Sequence, residues 1–346
     1  MRYPWFVVAA LLVAAGCSGG DEPADGGDGG AIGGSGGSAG SGGTDGNGGT
    51  GGTGGAVVNP ATDGPDSGWE PAVPQALDGE LPGATRPADC GDDHGFVSAV
   101  RGWAVAPGGE PLVQAKAQLC IHTSTRQFVC LTPSDTDAEG VYTVDVPEPY
   151  RCMDKAAMRV LLPRAGRATA YCQMDVASGP ASRLYTPSVL PLATPAVDLP
   201  PEGDPDTKRP VTFDDGLVLQ VTPSLYYSGS GSYDRLAGRH VPPDAVGLCG
   251  EASTFDGLYA FYPEGEIEAP GFDVAIPNRT GLAAGTAVDL FVLGGLECSL
   301  FDGTAVPEAT WAKFGEGTVS ADGSTIESTP GSGLPCFTWL AYRAKE

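Results

Sequence analysis

Residues 96–146 read FVSAVRGWAVAPGGEPLVQAKAQLCIHTSTRQFVCLTPSDTDAEGVYTVDV, and the fold class is decided here. Apolar runs at 96–105, 113–121, 127–131 and 141–146 are short and are separated by turn residues such as Pro107-Gly108-Gly109. Proline presets one backbone angle and glycine supplies the conformations other residues avoid, so such clusters reverse the chain. Further runs follow at 158–162 and 168–176, and no stretch carries a sustained helical period with caps. Short strands at regular spacing with turns between them predict an all-β sandwich.

The pattern resumes after a break rich in Pro and Asp at 199–210. Runs at 217–221, 257–262, 272–276, 287–293, 317–320, 325–328 and 336–342 give a second β-rich region. The expected organisation is two β-sandwich domains, 86–204 and 205–346, behind a tether.

Within the first region, Gly102-Trp103-Ala104-Val105, Pro111-Leu112-Val113-Gln114-Ala115 and Thr136-Asp137-Ala138-Glu139-Gly140-Val141-Tyr142 stand in order, followed by Val146-Pro147. This series, with its complete T-D-x-x-G-x-Y motif, resembles the carboxypeptidase regulatory-like domain over roughly residues 90–200. The resemblance implies a transthyretin-like sandwich that serves as an accessory module, a scaffold or a binder. In the second region, the segments 276–290 and 317–326 resemble a β-rich module of large bacterial surface proteins and of lipoproteins with glycine-rich tethers. That resemblance implies a setting and assigns no chemistry.

The N-terminus carries Arg2 and then an apolar run, 5–16, that stops at Cys17-Ser18-Gly19-Gly20. The charged start and short apolar middle are those of a secretory signal, 1–16. The run is too short to span a bilayer, which takes about 20 apolar residues. Ala14-Ala15-Gly16-Cys17 resembles the lipobox of bacterial lipoproteins, although Ala14 stands where that family usually has Leu, Val or Ile. The resemblance implies that Cys17 carries lipid and that the membrane is the partner. Ser18, in place of Asp, implies the outer membrane. Cleavage at an ordinary small-residue site, giving a secreted protein, is the alternative.

From Ser18 to Glu70 the chain is dominated by Gly with Ser, Thr, Asp and Asn, and has no Lys or Arg. Such a composition buries too little apolar surface to offset the entropy of ordering, so residues 17–85 are expected to form a disordered linker. A flexible coil of this length reaches on the order of 40 Å. The tract contains chance matches to G-x-S-x-G at 33–37 and to G-x-G-x-x-G at 46–51. Neither follows a strand nor opens a helix, so neither has the context its chemistry needs.

The whole chain of 346 residues has a formal net charge of −24. An acidic surface of this strength repels phosphate, which argues against nucleic acid as a partner. Nine cysteines are present. With Cys17 lipidated, eight remain as disulfide candidates: Cys90, Cys120, Cys130, Cys152, Cys172, Cys249, Cys298 and Cys336. An even number in an exported chain suits an oxidising compartment. Cys120 and Cys130 flank a polar reversal, 122–126, and are the expected pair. No C-x-x-C spacing exists to suggest zinc.

Candidates for chemistry are sparse, and no cofactor is expected. His94, His122 and His240 belong to no paired-ligand motif, and His94 lies in the acidic stretch Cys90-Gly91-Asp92-Asp93-His94. Asp135, Asp137 and Glu139 copy the first half of a calcium loop, but its twelfth position is Val146 rather than Glu, so a strand-connecting turn is the better reading. Asp214-Asp215 and Glu264/Glu266/Glu268 are carboxylate pairs of the kind glycosidases use, in a chain with 43 acids. Tyr226, Tyr227, Tyr233, Trp311 and Trp339 offer a sugar platform or, at strand spacing, a core. Asn278-Arg279-Thr280 is a glycosylation sequon. These residues favour a non-enzymatic surface lipoprotein that binds a surface protein or glycan, or shapes the envelope. The alternative is a secreted hydrolase with an accessory sandwich.

Overall fold

The computed structural model describes residues 85–345 except 107–109, 126, 163–165, 175, 177–182, 190–195, 199–203, 214, 228–234, 244–251 and 296–297. The leader, Cys17, nearly all of the tether, Asp214, Tyr233 and Cys249 therefore lie outside the described residues. The protein is all-β, and helix among the described residues is limited to short 3₁₀ turns.

Among the described residues the first lobe has nine strands: β1 (Gly95–Phe96), β2 (Ala99–Val105), β3 (Lys116–Thr123), β4 (Phe128–Cys130), β5 (Ser134–Asp135), β6 (Val141–Asp145), β7 (Cys152–Leu161), β8 (Ala170–Met174) and β9 (Arg183–Val189). One sheet runs β1-β7-β3-β4, with β8 on β7 and β5 on β3; the other runs β6-β2-β9. Side chains alternate across each strand. On β3 the inward set is Ala117, Leu119 and Ile121, which meets Val100 and Ala104 of β2 and Tyr142 and Val144 of β6 in one apolar cluster. The two sheets thus enclose a sandwich core.

The T-D-x-x-G-x-Y segment is the turn that joins the sheets. The buried Thr136 hydroxyl donates to Leu112 O at 2.5 Å and accepts from Ala115 N–H at 2.8 Å. The Asp137 carboxylate accepts from Val141 N–H at 2.8 Å and Glu139 N–H at 3.1 Å. Gly140 has φ +76°, and a Cβ there would meet Ala104 O at 2.6 Å. Tyr142 is then delivered fully buried into the core. Each conspicuous position of the motif has its own physical task.

The second lobe has β10 (Ala196–Asp198), β11 (Arg209–Thr212), β12 (Val218–Val221), β13 (Tyr226–Tyr227), β14 (Arg235–Val241), β15 (Gly257–Ile267), β16 (Asp273–Pro277), β17 (Ala287–Leu293), β18 (Trp311–Val319), β19 (Thr325–Ser328) and β20 (Cys336–Ala344). They form one antiparallel sheet in the order β10-β14-β15-β20-β17-β18-β19-β16-β12-β11, with β13 on β15. Leu219, Ile276 and Ile326 from one end share a cluster with Tyr259, Leu290 and Leu340 from the other, so the sheet curls over its own core. This is the second sandwich.

Both lobes belong to one compact unit. The outer faces of β14, β15, β17 and β20 carry Ala237, Val241, Leu258, Ala260, Leu293, Trp339 and Ala341, and this apolar face also holds Ala157, Ala168 and Tyr171 of the first lobe. β20 is buried from Cys336 through Tyr342 on both its faces. A continuous apolar run is the sequence mark of such a strand.

Disulfides join Cys90 to Cys152, Cys120 to Cys130 and Cys298 to Cys336. Gly140→Ala should destabilise the protein by about 1–3 kcal/mol, because the left-handed backbone and the clash with Ala104 O both act against a methyl group. Urea unfolding under non-reducing conditions would measure it.

Candidate functional site

Charged and hydroxyl-bearing side chains converge where the lobes meet. β3, β7 and β8 present Gln118, Arg159 and Tyr171 in register, since Gln118 pairs with Arg159 and Arg159 with Tyr171. Strand alternation places all three on one face, opposite to the inward Leu119 and Met158. Glu264 of β15 reaches them from the second lobe. Its carboxylate accepts from Arg159 Nη2 at 3.1 Å and from the Thr169 hydroxyl at 3.3 Å. It also accepts a hydrogen bond from the Tyr171 hydroxyl. Arg159 Nε donates to that same Tyr171 oxygen at 3.1 Å, closing a ring of three side chains.

The surroundings fix this ring. A Cβ on Gly295 would clash with Glu264 Oε1 and come within 3.1 Å of the Tyr171 oxygen, so glycine leaves the space the carboxylate fills. Trp339 Nε1–H donates to Thr169 O at 2.7 Å, tying β20 to the first lobe next to the ring. Burial opposes the charge on Arg159, but Tyr171 and Glu264 outweigh it and hold the guanidinium pKa above its usual value. Burial, followed by the Glu264 charge, pushes the Tyr171 phenol well above its usual range. The phenol therefore stays a neutral donor to the carboxylate. The ensemble holds one anion by three donors and works as an interlobe lock.

A second contact crosses the same boundary. His122 Nε2 of β3 lies 3.9 Å from Glu308 Oε2 in the loop before β18. Phe128 of β4 is exposed and stacks in a tilted arrangement on His122, with centroids 4.9 Å apart. Burial raises the Glu308 pKa, only partly countered by its own backbone N–H and by His122.

A polar cluster inside the second lobe surrounds Asp215. Its carboxylate accepts from His240 N–H at 2.9 Å and Leu217 N–H at 3.1 Å, and Arg279 Nη2 donates to its backbone carbonyl at 2.9 Å. Burial raises the Asp215 pKa, opposed by those backbone donors. Tyr259 is raised by burial and then by the Asp215 charge. The His240 ring packs edge-on to Tyr259 at 5.4 Å. It is the backbone of His240 that touches the Asp215 carboxylate, so the contact shapes the β11–β12 hairpin and does not orient the imidazole.

The other residues singled out from the sequence are dispersed. His94 Nδ1 is 2.5 Å from Asp154 Oδ1 and its Nε2 is 3.7 Å from Asp93 Oδ1, beside the Cys90–Cys152 bridge. The ring thus hydrogen-bonds Asp154 and lies near a second carboxylate, Asp93. Asp135 pairs with Lys116, while the Asp137 carboxylate caps the motif turn through Glu139 N–H and Val141 N–H. Among the described residues no group of three or more His, Cys, Asp or Glu is placed to hold a metal ion. Tyr226 and Trp339 are core residues, Tyr227 is exposed, and Trp311 packs on Phe255 at 4.8 Å. Among the described residues, Tyr226 packs in the second lobe's own core while Trp311 and Trp339 belong to the apolar layer between lobes. Asn278 spends its amide on Leu282 O and Gly323 O, both at 2.8 Å.

Glu264 appears in the sequence only as one acid in a Glu264/Glu266/Glu268 triplet. The signal for its partners is a charge inside an apolar strand: Arg159 interrupts Ala156-Ala157-Met158 and Val160-Leu161.

No family model matches the chain, and no curated protein matches it. Among solved structures, a point mutant of the shaft pilin SpaA of Lactobacillus rhamnosus GG aligns at 12% identity and TM-score 0.22, covering 50% of this chain and 89% of that one. The major pilin SpaA of Corynebacterium diphtheriae aligns at 11% identity and TM-score 0.22, covering 71% of this chain and 58% of that one. Overlap at this level carries no argument about how this chain acts.

Glu264→Gln leaves the largely enclosed Arg159 without a counter-charge and should cost about 2–3 kcal/mol, at or just below the roughly 3–5 kcal/mol for breaking a fully buried pair because both groups keep some exposure. In a cycle with Arg159→Met, the double variant should lose less than the two single losses added together, as read by urea unfolding. Glu308 supplies a pH dependence. Its folded pKa lies above the ordinary 4.5, so the folded state holds the extra proton and stability falls as pH rises through that window. Glu308→Gln should therefore raise the thermal midpoint at pH 7 and leave it unchanged below pH 4.

Proposed function

We propose that the chain is a non-catalytic envelope lipoprotein, in which lipid on Cys17 and a glycine-rich tether carry a rigid two-lobed β body away from the outer membrane. The observation that carries this reading is the state of the cysteines. All seven described ones, Cys90, Cys120, Cys130, Cys152, Cys172, Cys298 and Cys336, are disulfide-bonded. Nine cysteines cannot all pair, and the chain has nine. The odd one is best placed at Cys17, behind a signal-like leader and ahead of the tether. Thioether attachment consumes its thiol, and stable anchoring follows from two or more acyl chains at about 0.8 kcal/mol per buried methylene.

The body suits display. Arg159, Thr169 and Tyr171 at the lobe boundary are occupied in holding Glu264, and the carboxylate of Asp215 is occupied by backbone N–H groups. The motif turn from Thr136 to Tyr142 supports reading the first lobe as a carboxypeptidase regulatory-like accessory module. A surface protein or glycan is the class of ligand such a module would present itself to.

Intact mass of the membrane-extracted protein tests the anchor. The expected mass begins at Cys17 and includes acyl chains, and Cys17→Ser should move the protein out of the membrane fraction. A lipid-free wild-type protein released into the medium would overturn the proposal.

A further inference from the structure

We infer that the Asp204–Pro205 peptide bond is a self-cleavage site, at which the Asp204 carboxyl attacks its own main-chain carbonyl while Arg209 stabilises the carbonyl oxygen. The chain holds a single Asp-Pro dipeptide. It falls between β10 and β11, and both of its residues are exposed. Such a bond suits this chemistry for two reasons. The aspartyl carboxyl closes a five-membered ring on the neighbouring carbonyl, and a well-oriented intramolecular group acts at an effective concentration of about 10⁵–10⁸ M. The proline nitrogen leaves as a basic secondary amine and so takes up a proton readily.

Two donors converge on the carbonyl of this bond. Arg209 Nη2 donates to Asp204 O at 2.8 Å, and Thr207 N–H donates to the same oxygen at 3.0 Å. Donors about 2.7–3.1 Å from an oxygen that gains negative charge are what stabilises a tetrahedral intermediate. Asp206 N–H donates to Asp204 Oδ1 at 3.0 Å, which turns the carboxyl toward the C-terminal side of its residue, where the bond lies. The departing side is fixed as well, since Ser224 N–H donates to Pro205 O at 3.0 Å. Arg209 is placed by β11, on which it pairs with Val221 of β12. Its neighbour Lys208 is paired with Asp273 at 2.6 Å.

In the step, an oxygen of the protonated Asp204 carboxyl bonds the Asp204 carbonyl carbon, and the bond from that carbon to Pro205 N breaks. The nitrogen keeps the electron pair and receives the carboxyl proton, leaving a cyclic anhydride at Asp204. One water then opens the anhydride to two carboxyl groups, and nothing is oxidised or reduced. The event is a single self-modification without an external substrate, and it does not depend on lipid at Cys17. Cys90–Cys152 and Cys120–Cys130 stay with the first piece, and Cys298–Cys336 stays with the second. The pieces remain joined by the β10–β14 ladder and by the bonds from Arg159, Thr169 and Tyr171 to Glu264.

The purified full-length protein, incubated in weakly acidic buffer and then reduced and denatured for intact mass, tests the site. The expected products end at Asp204 and begin at Pro205, and their masses add to that of the uncut chain plus one water. Unfolding in urea keeps the dipeptide but disperses its donors, and so measures the general lability of such a bond. The folded protein should cleave on the order of ten-fold faster than the unfolded one, at a rate independent of protein concentration. Arg209→Met should lower the folded rate by on the order of ten-fold. Asp204→Glu, which enlarges the ring to be closed, should abolish the cut. A folded wild type that stays intact, or that cleaves no faster than in urea, would overturn the inference. So would a wild-type rate in Arg209→Met, or a cut that persists in Asp204→Glu.

Discussion

A carboxylate enclosed between two sheets has to be matched by donors, and at Glu264 the donors Arg159, Thr169 and Tyr171 all come from the other lobe. They lie on or beside β7 and β8, while Glu264 lies on β15. Neither lobe can keep these groups in the same surroundings without its partner. Separation would return them to water, and it would also expose the apolar face of Leu258, Ala260, Leu293 and Trp339. Apolar area supplies the attraction, about 25 cal/mol per Å² buried. The charged ring supplies direction, because three donors and one acceptor fit in one orientation, whereas apolar surfaces tolerate sliding.

This arrangement explains the strands that pack around it. A sheet with one wet face alternates apolar and polar residues, but β20 is covered on both faces and reads Cys336-Phe337-Thr338-Trp339-Leu340-Ala341-Tyr342 without a charge. Phe337, Leu340 and Tyr342 fill the second lobe's own core. Trp339 and Ala341 fill the layer between lobes. Thr338, the polar exception, donates its hydroxyl to Leu293 O at 2.6 Å and so brings no unmet hydrogen bond inside. The lone polar handle of Trp339 is likewise used across the boundary, on Thr169 O.

Much of the strand pattern was legible. The runs at 96–105, 113–121 and 141–146 fall on β2, β3 and β6, and those at 257–262, 287–293 and 336–342 on β15, β17 and β20. Strands with Arg, Gly, His or Pro in them escaped notice. Arg235–Val241 and Arg209–Thr212 are such cases, because β14 and β11 are defined by their pairing partners and their own composition signals no strand. The lock escaped for a related reason. Glu264 looks like any acid in an acidic chain, and its significance lies wholly in what stands 93 to 105 residues earlier in the sequence.

The sequence by itself determined the local matters: β-strand class from apolar runs, turn positions from Gly, Pro and Asp, and the stretch from Thr136 to Tyr142 as a strand-connecting turn, in which the structure finds the partners of Thr136 and Asp137 within about two dozen residues and that of Gly140 in a neighbouring strand. It also carried the odd number of cysteines, which is a property of composition. The tertiary structure decided which faces of each strand are wet, how the long sheet curls over its core, and that two lobes meet on an apolar face pinned by Glu264. Those outcomes depend on contacts between residues far apart in the chain. No local propensity encodes them, because the same alternating strand is stable with either water or a second sheet against its outer face.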